Sequence, residues 1–119
     1  MNRTGPTNEH LQQLIHELRE LSRERNAPLW ERIADDLERP SRNRRSVNIY
    51  KIDQHTRDGE IALVPGKVLS MGALTKKLTV AAFQFSQEAR EKINGVGKAI
   101  TIQELVKENP AGKNVRIIG

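Results

Sequence analysis

The 119-residue chain contains no cysteine. That absence excludes disulfide frameworks, thiol nucleophiles and most structural zinc sites, and it fits a reducing, cytoplasmic setting. No stretch approaches the roughly 18 uninterrupted apolar residues of a membrane helix. The polar opening "MNRTGPTNEH" also lacks the apolar segment of a secretory signal. No membrane partner is expected. Aromatic side chains are scarce, limited to Trp30, Tyr50, Phe83 and Phe85. A sheet that reads RNA by stacking bases needs exposed aromatics on its strands. Phe83 and Phe85, two apart, are assigned to one face of a buried strand and Trp30 to a helix stripe, so little base readout is expected.

The inventory for catalysis is equally thin. His10 and His16 are six apart and miss the four-residue spacing of a helical zinc pair, while His55 stands alone before a turn. No serine lies in a Gly-x-Ser-x-Gly turn, and Ser86 is better explained as a helix cap. Gly66-Lys67 has the ending of a phosphate loop, but Ile61 stands where its first glycine belongs; Gly95-Val96-Gly97 follows a helix instead of a strand. Asp35-Asp36 and the Glu104, Glu108 pair belong to charged helix faces. Glu20 and Glu24 are assigned to solvated ion pairs with Arg23 and Arg19. No enzymatic activity, cofactor, metal or small-molecule substrate is expected.

What the chain does have is charge. It carries 29% charged residues and a formal net charge of +5, with a sequence pI near 9.9. The surface is tilted toward anionic partners. Through residue 58, eleven basic residues nearly cancel ten acidic ones; from Gly59 onward nine face five. Between Arg39 and Lys51 there is no acid. That window holds Arg39, Arg42, Arg44, Arg45 and Lys51, beside Ser41, Asn43 and Ser46. Cations crowded without counter-ions repel one another, and a guanidinium fork pairs with phosphate, while short polar side chains reach phosphate and ribose oxygens. The alternative is a solvated linker after Pro40. Lys76, Lys77, Lys98, Lys113 and Arg116 are weaker satellites of the same kind.

Leu11, Leu14, Ile15, Leu18 and Leu21 predict a helix over about 8–25, with Thr7 or Asn8 as cap. Asn26-Ala27-Pro28 interrupts it, and Trp30, Ile33, Ala34 and Leu37 mark a second helix that Pro40 must stop. Val47–His55 is ambiguous between strand and helix; Ile49 and Ile52 behind Asn48 favour a short helix. Arg57-Asp58-Gly59 reads as a turn. Pro65-Gly66 predicts a tight turn between two short strands. Leu78–Phe85 reads as a buried strand, and Ser86 opens a helix over about 87–94 that Asn94-Gly95 ends. Ala99-Ile100 is a short strand, Thr101 and Glu104 form a capping box, a helix ends by Asn109-Pro110, and 115–118 closes as a strand. The expected architecture is α/β: a helical arm over 1–58, containing the basic segment 39–51, and an α/β core over 59–119, together one compact domain.

The strings "VNIYKI", "VPGKVLSMGAL", "VAAFQFSQEAREKI" and "ITIQELVKENPAGKNVRIIG" together resemble the large-subunit ribosomal protein of the eighteen-e family of archaea and eukaryotes, the relative of bacterial ribosomal protein fifteen. The likeness runs from about Leu11 to the C-terminus. It implies irregular strand-strand-helix units behind an N-terminal helical region, binding to large-subunit ribosomal RNA, neighbouring ribosomal proteins and no catalysis. The short length resembles archaeal members. By that resemblance Arg39, Arg42, Arg44 and Arg45 match the family's basic stretch and Lys67 the lysine of its Pro-Gly-Lys turn. Ser70 and Met71 replace a glycine-containing pair common before Gly72. A protein-interaction adaptor docking through the charged first helix is the alternative function; a small enzyme built on His55 or a carboxylate pair is a distant third.

Overall fold

The computed structural model describes residues 9–39 and 45–118, with the backbone alone at 45. Two helices open it, α1 (Glu9–Arg25) and α2 (Pro28–Glu38). The three-and-four spacing of their apolar residues gives each helix one buried stripe: Leu11, Leu14, Ile15 and Leu18 on α1, Trp30, Ile33, Ala34 and Leu37 on α2. Asn26, with φ +52°, reverses the chain between them. Pro28 sits in the first turn of α2, where a missing N–H costs nothing. The expected caps Thr7 and Asn8 and the stop at Pro40 lie outside the described residues.

The remainder is a parallel sheet of β1 (Arg45–Asn48), β2 (Ile61–Leu69), β3 (Thr79–Phe85), β4 (Lys98–Thr101) and β5 (Val115–Ile117), with α3 (Ile49–His55), α4 (Gln87–Asn94) and α5 (Ile102–Glu108) between strands. The order is β1-β2-β3-β4, and β5 pairs β2 at Ile61–Leu63, on a stretch that β1 leaves open. The hairpin and α5 share one core with Leu63, Ala81 and Ile100. The residues Ile49 and Ile52 of α3 and Ala89 and Ile93 of α4 share the other with Ala62, Val64, Val68, Val80 and Ala82. Connections that advance across the sheet therefore carry their helices on one face, and the return from β4 to β5 carries α5 on the other, as a single crossover hand requires. With both faces covered, β2 and β3 are apolar runs without simple alternation.

Local chemistry agrees with much of the sequence reading. The Ser86 hydroxyl accepts from the Ala89 N–H at 3.1 Å, and Thr101 and Glu104 form the reciprocal capping box. Gly59, with φ +87°, closes the expected turn, in which the Glu60 N–H donates to the Arg57 carbonyl.

Four expectations need correction. First, β2 runs straight through Pro65-Gly66. On one side β5 pairing ends at Leu63 and β1 pairing begins at Gly66; on the other, the β3 register slips between Val64 and Lys67. Proline's missing N–H thus falls where β2 has no ladder partner, which is where a strand tolerates it. Second, 47–55 is not wholly helical. Arg45–Asn48 is a strand, and the helix starts at Ile49; the Asn48 side chain makes no cap bond but accepts from the Met71 N–H at 3.3 Å. Third, Phe83 and Phe85 do not share a face: Phe83 packs with the hairpin core and Phe85 with the opposite one, since the slip against β2 interrupts alternation. The Arg90 guanidinium lies 5.3 Å from the Phe85 ring centre. Fourth, Arg19 pairs across the hairpin with Glu31, Asp35 and Glu38, and Glu20 pairs with His16.

Candidate nucleic acid interface

The basic segment leads from the end of the hairpin to the first strand. Arg39 closes α2 and lies 3.9 Å from the Asp36 carboxylate. Ser41, Arg42, Asn43 and Arg44 lie outside the described residues, and the Arg45 backbone stands opposite Gly66.

Just beyond, Ser46, Lys67 and Gln84 stand side by side in register on β1, β2 and β3, all exposed. Their chain neighbours Val47, Val68 and Phe85 pack toward α3 and α4. Successive strand residues point to opposite faces, so the row lies on the hairpin side of the sheet, at an end left uncovered. The Lys67 ammonium has no carboxylate partner among the described residues. Gln84 was missed from the sequence, although a polar residue between two phenylalanines in a buried run was its signal.

Lys51 and His55, four apart on α3, meet Arg116 of β5 around an open cleft of about 270 Å³, with Ile117 and Ile118 also lining it. Nε and Nη2 of Arg116 donate to the two Glu60 oxygens, each at 2.9 Å. That pairing, with the Arg57 N–H bonded to the same carboxylate, pulls the Glu60 carboxyl down to about 2. The fold thus unites two positions more than sixty residues apart in sequence and adds His55, which sequence reading set aside.

The paired lysines 76 and 77 part company. The Lys76 ammonium donates to the carbonyls of Asp53 (2.7 Å) and Thr56 (2.8 Å), closing the C-terminal end of α3. The Asp53 carboxylate accepts from the backbone and hydroxyl of Thr75, both at 2.8 Å. Partial burial opposes its charge, but those bonds and Lys76 outweigh it and lower the Asp53 pKa. Lys77 is exposed, as is Lys113, whose backbone Asn109 brackets. Both precede strands at the amino edge of the sheet. Lys98 lies 3.6 Å from Glu108. Tyr50, unassigned from sequence, is 47% exposed beside Met71, and Gly72 (φ +99°) passes so near that an added Cβ would come within 2.6 Å of the Tyr50 Cβ.

Among the described residues, no group of three or more histidines and carboxylates could hold a metal ion, and no helix is long and apolar enough to cross a membrane. The family model described as "Ribosomal protein 60S L18 and 50S L18e" matches residues 1–119. Similar proteins include large ribosomal subunit protein eL18 of Methanopyrus kandleri, 48% identical over 97% of this chain and 95% of that one. The same protein of Methanothermobacter thermautotrophicus is 48% identical over 94% and 93%, and that of Methanococcus maripaludis 42% over 99% of both. An α/β sheet behind a helical hairpin, basic residues turned outward on it, and matches of this extent agree: the chain belongs to the ribosomal protein family of 60S L18 and 50S L18e.

Proposed function

We propose that the protein is a structural, non-catalytic part of the large ribosomal subunit in the cytoplasm, holding large-subunit ribosomal RNA mainly through phosphates and meeting neighbouring ribosomal proteins. One observation carries the RNA part: Lys51, Lys67, Lys77 and Lys113 have no carboxylate partner among the described residues, while Arg19 in the hairpin has three. Unpaired cations on and around a sheet cost self-repulsion in the free protein and gain by displacing counter-ions from a polyphosphate. In this reading 1–58 and 59–119 act as one compact body, with 39–51 laid against RNA.

Binding to deproteinised large-subunit ribosomal RNA should weaken steeply with salt. Arg44→Ala should weaken it without changing which RNA is chosen and flatten the salt slope by about one unit. An unchanged slope removes Arg44 from the contact. Purification with and without nuclease separates this reading from the adaptor: a protein partner retained after nuclease, with no RNA in the untreated sample, overturns it.

A further inference from the structure

We propose that the cleft between α3 and β5 seats one phosphodiester of the RNA, gripped by Lys51, His55 and Arg116; this rests on the function proposed above. The helix spacing of Lys51 and His55 puts both on one side of α3, toward the strand that carries Arg116. Arg116 is aimed by Glu60, which uses two of its five N–H groups and leaves three. Ile117 and Ile118 supply apolar wall, which concentrates the field of the cations over the opening.

The charged groups around the cleft are Lys51 and His55 on α3, Arg116 on β5, and Glu60 and Arg57 in the turn before β2; Asp58 lies exposed in the same turn. Asp53 on α3 is engaged by Thr75 and Lys76. Lys51 and Arg116 against Glu60 leave one net positive charge, and His55 adds an imidazole beside them. A phosphodiester brings one negative charge. The grip should therefore favour a singly charged anion and weaken as salt screens it.

The test uses the full chain, imidazole NMR and dimethyl phosphate, a singly charged probe. The His55 resonances should shift saturably while those of His10 and His16 stay put. Lys51→Ala should weaken the effect about tenfold. A short RNA duplex should reproduce the His55 shift. The proposal is overturned if His55 does not respond, if all three histidines respond alike, or if poly-glutamate shifts His55 and phosphate does not, which would assign the cleft to an acidic protein segment. Lys51→Ala and His55→Gln proteins that bind deproteinised ribosomal RNA with the wild-type salt slope sink the cleft alone. Wild-type protein that fails to bind that RNA sinks the broader function.

Discussion

The hairpin and the sheet layer put their basic side chains to opposite ends. On α2, Glu31, Asp35 and Glu38 recur at helix spacing and face Arg19 of α1, whose side chain is only 26% exposed. Burial works against the Arg19 charge, but the bond to Asp35 and the fields of Glu38, Glu31 and Asp35 outweigh it and raise its pKa. In the sheet layer, Lys51 on α3 and Lys67 on β2 stand exposed with no such carboxylates opposite them. Lys98 on β4 lies against Glu108 while Lys67 on β2 has no carboxylate, so the type of cation says little about its role. What decides is whether a neighbouring element presents carboxylates at the matching period.

The largest expected effect lies in the hairpin. Trp30 is fully buried and its indole N–H donates to the Pro110 carbonyl, 80 residues on, at 2.9 Å. Trp30→Ala should cost about 3–5 kcal/mol in urea denaturation. Arg19→Ala should cost about 1 kcal/mol, a figure kept small because its partners are about half exposed, and should leave the RNA salt slope unchanged. A flatter slope would break the comparison by giving the hairpin a share in RNA binding. Lys67→Ala should alter stability by less than about 0.5 kcal/mol while flattening the slope by about one unit. The reverse pattern would make Lys67 a folding residue.

The smallest effect concerns Glu60. Its carboxyl falls from an ordinary value of 4.5 to about 2 on folding. Since the folded value is the lower one, its contribution is complete above pH 4.5 and disappears as pH falls toward 2. Comparing acid unfolding of wild-type and Glu60→Gln protein should show a difference confined to that window and above it. Glu60→Gln should also increase the affinity of the cleft for dimethyl phosphate, since it removes the one carboxylate bound to Arg116.

Helices were the legible part of the fold. Their apolar period, and for α4 and α5 their caps, are written within a turn or two of chain, so α1, α2, α4 and α5 could be placed from local residues alone. Pro65-Gly66 was misread because its neighbours in space decide its conformation: a proline can continue a strand only where the ladder lapses on the side its N–H would face, and the pause at Pro65 depends on strands about fifty residues away as well as near ones. The candidate interface was legible as a composition and not as a geometry. Lys51 and Arg116 were picked singly by charge, but only the fold joins them with His55. Lys76 and Lys77 are indistinguishable as letters, yet the carbonyls left over at the end of α3 claim the first and leave the second exposed.

The shared edge of β2 also orders events during synthesis. Its upper half is zipped by β1, made before it, but its lower half waits for Val115–Ile117, among the last residues described to leave the exit tunnel. Until they dock, Arg116 has no place opposite Lys51 and His55. The cleft therefore matures after β1 to β4 are made, and a nascent chain would lack it until β5 follows.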